Sequence, residues 1–316
     1  MTRGWWLAFL VIWPAWVLAS PPRPIARPSI AGIVTDPQLG ELSGLASSRT
    51  QRDRYWAIND GGNGNHLLLL DGRGRVLKKL QVDGAENTDW EDLASFHWQG
   101  KNWLLIADTG DNAGEREHVV LWLLPEPEHL MEGAHAGPAK ALRLRYPDAP
   151  HDVEAMTVDA QSESVFLLTK RTVPPVLYRV PLSAAGKPKV VTAQRVGALD
   201  AIPQPTPSDI ARDGQLSRFR SQTTALALDC NQRGLLVLTY DAVYRYVRSS
   251  QQSWEAALPE QTPARSPLNL LPQAEAMALD RGCRNLFVGS EKAPVPLLRF
   301  RYRVVVDPTD APQGGQ

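Results

Sequence analysis

The chain has 316 residues, and its 34 lysines and arginines balance its 34 aspartates and glutamates, for a formal net charge of +0 at pH 7. That balance excludes a broad electrostatic partner such as duplex nucleic acid or an anionic membrane surface, so any charge-driven function has to be local. Length alone admits one large all-β domain or two average ones.

The N-terminus reads as a targeting segment. Arg3 supplies a short positive region, Trp5 to Leu18 is almost wholly apolar, and Val17-Leu18-Ala19 before Ser20 has the small-residue pattern of a signal-peptidase site. The apolar run falls short of the ~18 residues a spanning helix needs and is broken by Pro14. We therefore divide the chain into a signal peptide over residues 1–19, a single folded domain over residues 20–306 and a disordered tail over residues 307–316. The mature protein is expected to be secreted or periplasmic, monomeric and without a membrane span.

After a stiff entry at Pro21-Pro22-Arg23-Pro24, Ser29 to Thr35 reads as an isolated strand. Strands then follow at Leu42 to Ala46, Tyr55 to Asn59, His66 to Leu70 and Arg75 to Val82, with turn text at Asp60-Gly61-Gly62-Asn63 and Asp71-Gly72-Arg73-Gly74. A second unit offers Leu93 to Trp98, Trp103 to Ala107, Val119 to Leu124 and Ala141 to Tyr146. A third starts at Glu154 and continues through Val165 to Thr169, Val176 to Val180 and Val190 to Val196. Asp200 to Arg220 has no alternation and reads as an insertion with a helical turn near Asp209 to Asp213. The fourth unit has Ala225 to Asp229, Leu235 to Thr239, Ala242 to Val247 and an outer strand near Leu268 to Leu271. The fifth has only Ala276 to Leu279, Leu286 to Gly289 and Pro296 to Arg303.

One short motif punctuates these units: Ser43-Gly44-Leu45-Ala46, Glu91-Asp92-Leu93-Ala94, Glu154-Ala155-Met156-Thr157, Thr224-Ala225-Leu226-Ala227 and Glu275-Ala276-Met277-Ala278. From Leu45 to Leu93, Met156, Leu226 and Met277 the spacing is 48, 63, 70 and 51 residues. A period of ~40 to 50 residues with four strand-like segments per unit is the signature of a β-propeller. The count predicts five blades of four antiparallel strands, the isolated strand at Ser29 to Thr35 completing the fifth blade and closing the ring. A six-bladed alternative would have to hide a blade around residues 197–222.

Only two cysteines occur, Cys230 and Cys283, and outside the cytoplasm such a pair is more often bridged than free. Both fall in the turn after the first strand of consecutive units, which points to a disulfide between neighbouring blades, provided that their Cα atoms approach within ~7 Å. Neither has zinc-site spacing.

In a propeller blade the first strand lines the axis and runs antiparallel to the second. Starts of first strands and ends of second strands therefore share one face. That rule gathers Ser43, Glu91, Glu154, Thr224 and Glu275 from the starts and Asn59, Asp60, Asp108, Lys170, Tyr240 and Glu291 from the ends. Nearby loops add Asp89, Asp92, Asp111, Asn112, His151, Asp152, Arg171 and Lys292. Crowded carboxylates repel, each close pair costing roughly 1 to 4 kcal/mol at effective dielectrics of 80 to 20. Three balances are open: a hard cation, for which Asp108 to Glu115 is an oxygen-rich loop; pairing with Lys170, Arg171 and Lys292; or raised carboxyl pKa values that make a glutamate an acid catalyst. A fourth reading has the motif residues merely hydrogen-bonding the next blade. Trp90 beside Glu91 reads as a stacking platform for a ligand held with Lys170 and Glu291, or as a core residue. There is no G-x-S-x-G, P-loop or H-E-x-x-H motif. Alternation in Tyr244-Arg245-Tyr246-Val247-Arg248 fits a half-buried strand better than a nucleic-acid site.

Several stretches also resemble a known group. Trp90-Glu91-Asp92-Leu93-Ala94, Ala107-Asp108-Thr109-Gly110-Asp111-Asn112, Tyr146-Pro147-Asp148 with His151-Asp152-Val153-Glu154-Ala155, and Gln273-Ala274-Glu275-Ala276 with Ser290-Glu291 are similar to motifs of secreted bacterial β-propeller proteins, themselves distantly similar to the "esterase-like activity of phytase" family. The resemblance implies a propeller and a bound divalent cation, with Glu91, Asp108, Asp111, Glu154 and Glu275 on the matching motif positions. The expectation is thus an extracytoplasmic binding protein with a Ca2+ site on its axial face, presented to a small-molecule ligand or a protein partner. The alternative is a metal-dependent phosphoesterase or esterase-like hydrolase, with Glu91 and Glu154 as its acid and base.

Overall fold

The computed structural model describes residues 23–305 apart from positions 129, 131, 132 and 269. The expected signal peptide and C-terminal tail lie outside the described residues. Among these, no helix is long and apolar enough to cross a membrane.

Five sheets, each built on four antiparallel strands and two of them extended by a short fifth strand, stand around a common axis. Blade one runs through Leu42–Ser47, Arg54–Asn59, His66–Asp71 and Val76–Val82. Blade two uses Trp90–Trp98, Lys101–Asp108, Val119–Pro125 and Lys140–Arg145. Blade three uses Val153–Asp159, Ser164–Thr169, Val176–Pro181 and Gln194–Ala198, and blade four Thr223–Leu228, Gly234–Thr239, Ala242–Val247 and Ala264–Pro267. Blade five takes Ala274–Leu279, Asn285–Ser290 and Val295–Arg301 from the C-terminal end and Ser29–Val34 from the N-terminal end. That last strand pairs antiparallel with Val295–Arg301, from Ser29 opposite Arg299 to Val34 opposite Val295. Gly32 in this closing strand passes so close to blade one that a Cβ there would stand 2.1 Å from the Arg73 carbonyl oxygen.

Burial explains the strand text. Second strands are covered by a neighbouring blade on both faces, so Ser164–Thr169 and Gly234–Thr239 are buried at every position and read as unbroken apolar runs. Outer strands keep one face in solvent, and Ala264–Pro267 alternates buried and exposed. Five core clusters fill the five gaps between blades. One gap is that between blades five and one, where Leu42, Leu45 and Tyr55 meet Ala276, Phe287 and Leu297. The inner strands touch their neighbours in a complete circle. Closure of this kind leaves no sheet edge at the joint between the chain ends.

Three expectations need correcting. The outer strand of blade four is Ala264–Pro267, a few residues before the expected Leu268 to Leu271, whose Leu268 and Leu271 are buried in the core instead. The single strand expected at Val190 to Val196 is split: Val191–Thr192 adds in parallel to blade two, and Gln194–Ala198 belongs to blade three. A further two-residue strand, His135–Ala136, leaves the blade-two loop to pair in parallel with Gln81 and Val82 of blade one. Each two-residue addition covers an otherwise open blade edge. The six-bladed alternative is excluded, because residues 207–219 form the helix Pro207–Asp213 and the 3-10 turn Gln215–Phe219. Thr206 and Asp209 cap that helix reciprocally, the Thr206 side chain accepting from the Asp209 N–H while Asp209 accepts from the Thr206 N–H.

Candidate metal centre

The motif position has the same backbone device in all five blades. Pairing of the inner strand with its second strand slips between Leu42 and Gly44, Trp90 and Asp92, Val153 and Ala155, Thr223 and Ala225, and Ala274 and Ala276. The skipped residues are Ser43, Glu91, Glu154, Thr224 and Glu275. A bulge of this kind re-aims the extra side chain away from the alternation of the strand.

Two of the five use that direction to tie blades together. The Ser43 hydroxyl donates to the Glu91 carbonyl, and Thr224 Oγ1 donates to the Ala274 carbonyl at 2.7 Å. The three glutamates are buried as well; the carboxylates of Glu91 and Glu154 converge with others, whereas Glu275, expected as a metal ligand, lies outside both groups. Asp60, Asp89 and Glu91 each offer an oxygen within 4.8 Å of the others, and so do Glu91, Asp152 and Glu154. Glu91 belongs to both groups. Asp60 comes from the end of blade one's second strand, and Asp89 and Asp152 from the loops that lead into the inner strands of blades two and three. Glycine makes the room: a Cβ on Gly110 would lie 2.2 Å from Glu91 Oε1 and 2.3 Å from Asp89 Oδ2, and one on Gly61 would lie 2.1 Å from Asp89 Oδ1.

Positive charge is scarce among these groups. Lys170 pairs with Glu154 and lies 5.4 Å from the centre of the Tyr240 ring, and Tyr240 OH donates to Glu275 Oε1 at 3.1 Å. Arg171 Nε meets Asp152 Oδ2 at 2.5 Å. No lysine or arginine forms an ion pair with Glu91 among the described residues; its carboxylate has only the Ser43 hydroxyl, at 3.4 Å. Burial, followed by Glu154, Asp60 and Asp89, pushes Glu91 well above the usual carboxylate range. Burial raises Glu154 to about 8 against the pull of Lys170, and Glu275 to about 7 against the same lysine. Asp89 is lifted to about 6 by burial and then by Asp60 and Asp152. Burial alone would lower Lys170, but Glu154 and Tyr240 together outweigh it and hold the amine above its ordinary range. These carboxylates favour protons because burial strips them of water and the positive charge beside them does not compensate.

Other expected site residues are placed elsewhere. Asp108 lies outside both carboxylate groups: Oδ1 accepts from Arg116 at 2.9 Å and from the Asp89 N–H at 3.1 Å, and Oδ2 accepts from the Trp122 indole at 3.3 Å. It therefore shapes the Asp89 loop. Asp111 caps its own turn through the N–H groups of Glu115 and Arg116, both at 2.9 Å. Trp90 is a core residue with 0% exposure, its indole donating to the Glu86 carbonyl at 2.8 Å, and offers no stacking face. Glu291 accepts from Gln273 Nε2 at 2.9 Å and pairs with Lys292 at 3.6 Å, on the rim beside Glu275. The carboxylates that do join Glu91 and Glu154 are Asp60, Asp89 and Asp152. Each stood in the strand-end or loop inventory, but nothing in the text ranks it above Asp108 or Asp111.

Asp92, expected in a loop beside the site, lies instead on the inner strand of blade two. The residue after the bulge is Gly44, Ala155, Ala225 or Ala276 in four blades, because side chains there meet at the axis. In blade two it is Asp92, with 0% exposure. Its Oδ1 accepts from Leu93 N–H at 2.7 Å; its Oδ2 accepts from Met156 N–H at 2.8 Å and Leu226 N–H at 3.2 Å, on the inner strands of blades three and four. Burial raises its pKa well above the usual range while these three donors pull the other way.

No family model matches the chain, and no curated relative was found in the comparison with known proteins. Among solved structures the chain matches one from the crystal structure of a nidogen/laminin complex, with a TM-score of 0.43 and 10% identity, covering 79% of this chain and 72% of that one.

Proposed function

We propose that the protein is an extracytoplasmic propeller whose axial face binds Ca2+ through Asp60, Asp89 and Glu91, with Asp152 and Glu154 completing the acidic wall, and that the filled site recognises a small-molecule ligand or a protein partner. The observation that carries this reading is Glu91: a buried carboxylate shared by two clusters, without a cationic side chain of its own, seated against Gly110, while Gly61 makes the same room for Asp89. An all-oxygen donor set favours a hard cation over zinc, which takes sulfur and nitrogen ligands more readily. The Cys230–Cys283 disulfide, with its Cα atoms 6.0 Å apart, supports an oxidising compartment.

The test is thermal unfolding after chelation and after adding back Ca2+. A ligand bound only by the folded state raises its stability, by about 2.7 kcal/mol at a hundredfold excess over Kd. The wild type is expected to gain several degrees with Ca2+ and Glu91→Gln to gain little. Identical melting with chelator and with Ca2+ overturns the reading and leaves a scaffold without a metal.

A further inference from the structure

The inner strands also enclose a space at their far ends. Below Asp92 the axis widens into a cavity of about 260 Å3 lined by all five blades. Its walls owe their room to the fourth motif position, which is alanine in four blades, Ala46, Ala94, Ala227 and Ala278, and Thr157 in the remaining one. It opens on the face opposite the carboxylates, and Arg49 and Arg281 are among its lining residues together with Asp229 and Asp280.

Each arginine is held by a separate structural device. Glu126, at the end of blade two's third strand, is buried and grips the Arg49 turn. It accepts from Ser48 Oγ at 2.6 Å, from the Arg49 backbone N–H at 2.9 Å and from the Trp56 indole at 2.9 Å. It binds the Arg49 backbone and forms no ion pair with its guanidinium, and Arg49 Nε is buried without a hydrogen-bond partner. Arg281 sits two residues before Cys283, in a turn stapled by the disulfide to the Cys230 turn of blade four. It makes no ion pair among the described residues. Burial lowers the pKa of Arg49, and Arg281 lowers it further while Glu126 opposes the shift. The nearby carboxylates are already satisfied. Asp229 accepts from Arg233 and Gly234 N–H groups and from Tyr302 OH, and Asp280 from Arg284 N–H and Asn285 Nδ2.

Two arginines without an ion pair among the described residues line one cavity and lie close enough that each acts on the other's charge, while the two aspartates beside them are taken up by other donors. Guanidinium forks match the planar or tetrahedral oxygens of carboxylates and phosphates. We propose that this mouth of the channel is a second binding site, in which Arg49 and Arg281 receive the oxyanion group of a small molecule whose body enters the alanine-lined cavity.

Inorganic phosphate and succinate, titrated calorimetrically into the full chain with chelator present, test this independently of the metal site. At least one is expected to bind saturably at one site per chain, and at least tenfold more weakly in Arg281→Gln and in Arg49→Gln; Glu91→Gln is expected to bind it as the wild type does. Stronger binding of phosphate assigns a phosphoryl ligand and stronger binding of succinate a carboxylate. Arg281 is exposed, so its replacement leaves the fold intact and decides the matter should Arg49→Gln unfold. Absence of saturable binding by both anions, or wild-type affinity in Arg281→Gln, overturns the proposal.

Discussion

Blades one and four differ from blades two, three and five at a single bulged residue, and the difference separates a hydroxyl that ties two sheets from a buried carboxylate. In all five the backbone slips at the same place and aims one side chain toward the neighbouring blade and the axis. Serine and threonine are short, so their hydroxyls stop at the next blade's carbonyl and tie the two sheets. Glutamate reaches past that carbonyl and delivers a carboxylate to the shared face. One backbone position thus ties neighbouring sheets in two blades and presents a buried carboxylate in three, and side-chain length decides which.

Blade two offers the severest test of that division, because Asp92 combines a buried charge-bearing group with a purely cohesive role. Asp92→Ala is expected to lose at least about 3 kcal/mol in urea denaturation, since three buried N–H donors from three blades lose their acceptor. A loss below 1 kcal/mol would mean that the inner strands hold register without it. Next in size is a crossed pair of variants. Glu91→Gln is expected to weaken Ca2+ binding ten- to hundredfold, about 1.4 to 2.7 kcal/mol, with no loss of stability in chelator. Thr224→Val is expected to cost about 1 to 2 kcal/mol of stability and to leave Ca2+ affinity unchanged. If both variants lose both properties, the bulged residues form one system and the division fails.

The smallest expected effect is the pH profile. Raised carboxyl values mean that the native state keeps protons the unfolded chain has already released above its usual ~4. The stability contributed by those protons is complete below the ordinary carboxylate range. It is lost as pH rises through about 6 for Asp89, 7 for Glu275 and 8 for Glu154. Without metal the melting temperature should therefore fall from pH 5 to pH 8, and Ca2+, which competes with those protons, should flatten or reverse the slope. A metal-free profile that rises over the same interval contradicts the crowding of buried carboxylates.

Most of the architecture was legible because propeller blades repeat. The period, the buried second strands and the orphan strand at Ser29–Val34 are all local or periodic features, and each survives in the text. The short parallel additions at His135–Ala136 and Val191–Thr192 were not legible, since a two-residue strand is defined only by the edge it meets. Asp92 was legible in principle as the one acidic residue in a column of glycine and alanine, and only its reach to Met156 and Leu226 explains it.

By itself the sequence determined which positions carry acid and where the wheel closes, since hydrophobic period and motif spacing are properties of the chain alone. Only the tertiary structure decided that Asp60, Asp89 and Asp152 join Glu91 while Asp108 and Asp111 brace the surrounding loops. The reason is that convergence on an axis depends on bulges, on loop paths and on glycines that leave room for a carboxylate, and none of these is spaced along the chain as it is in space.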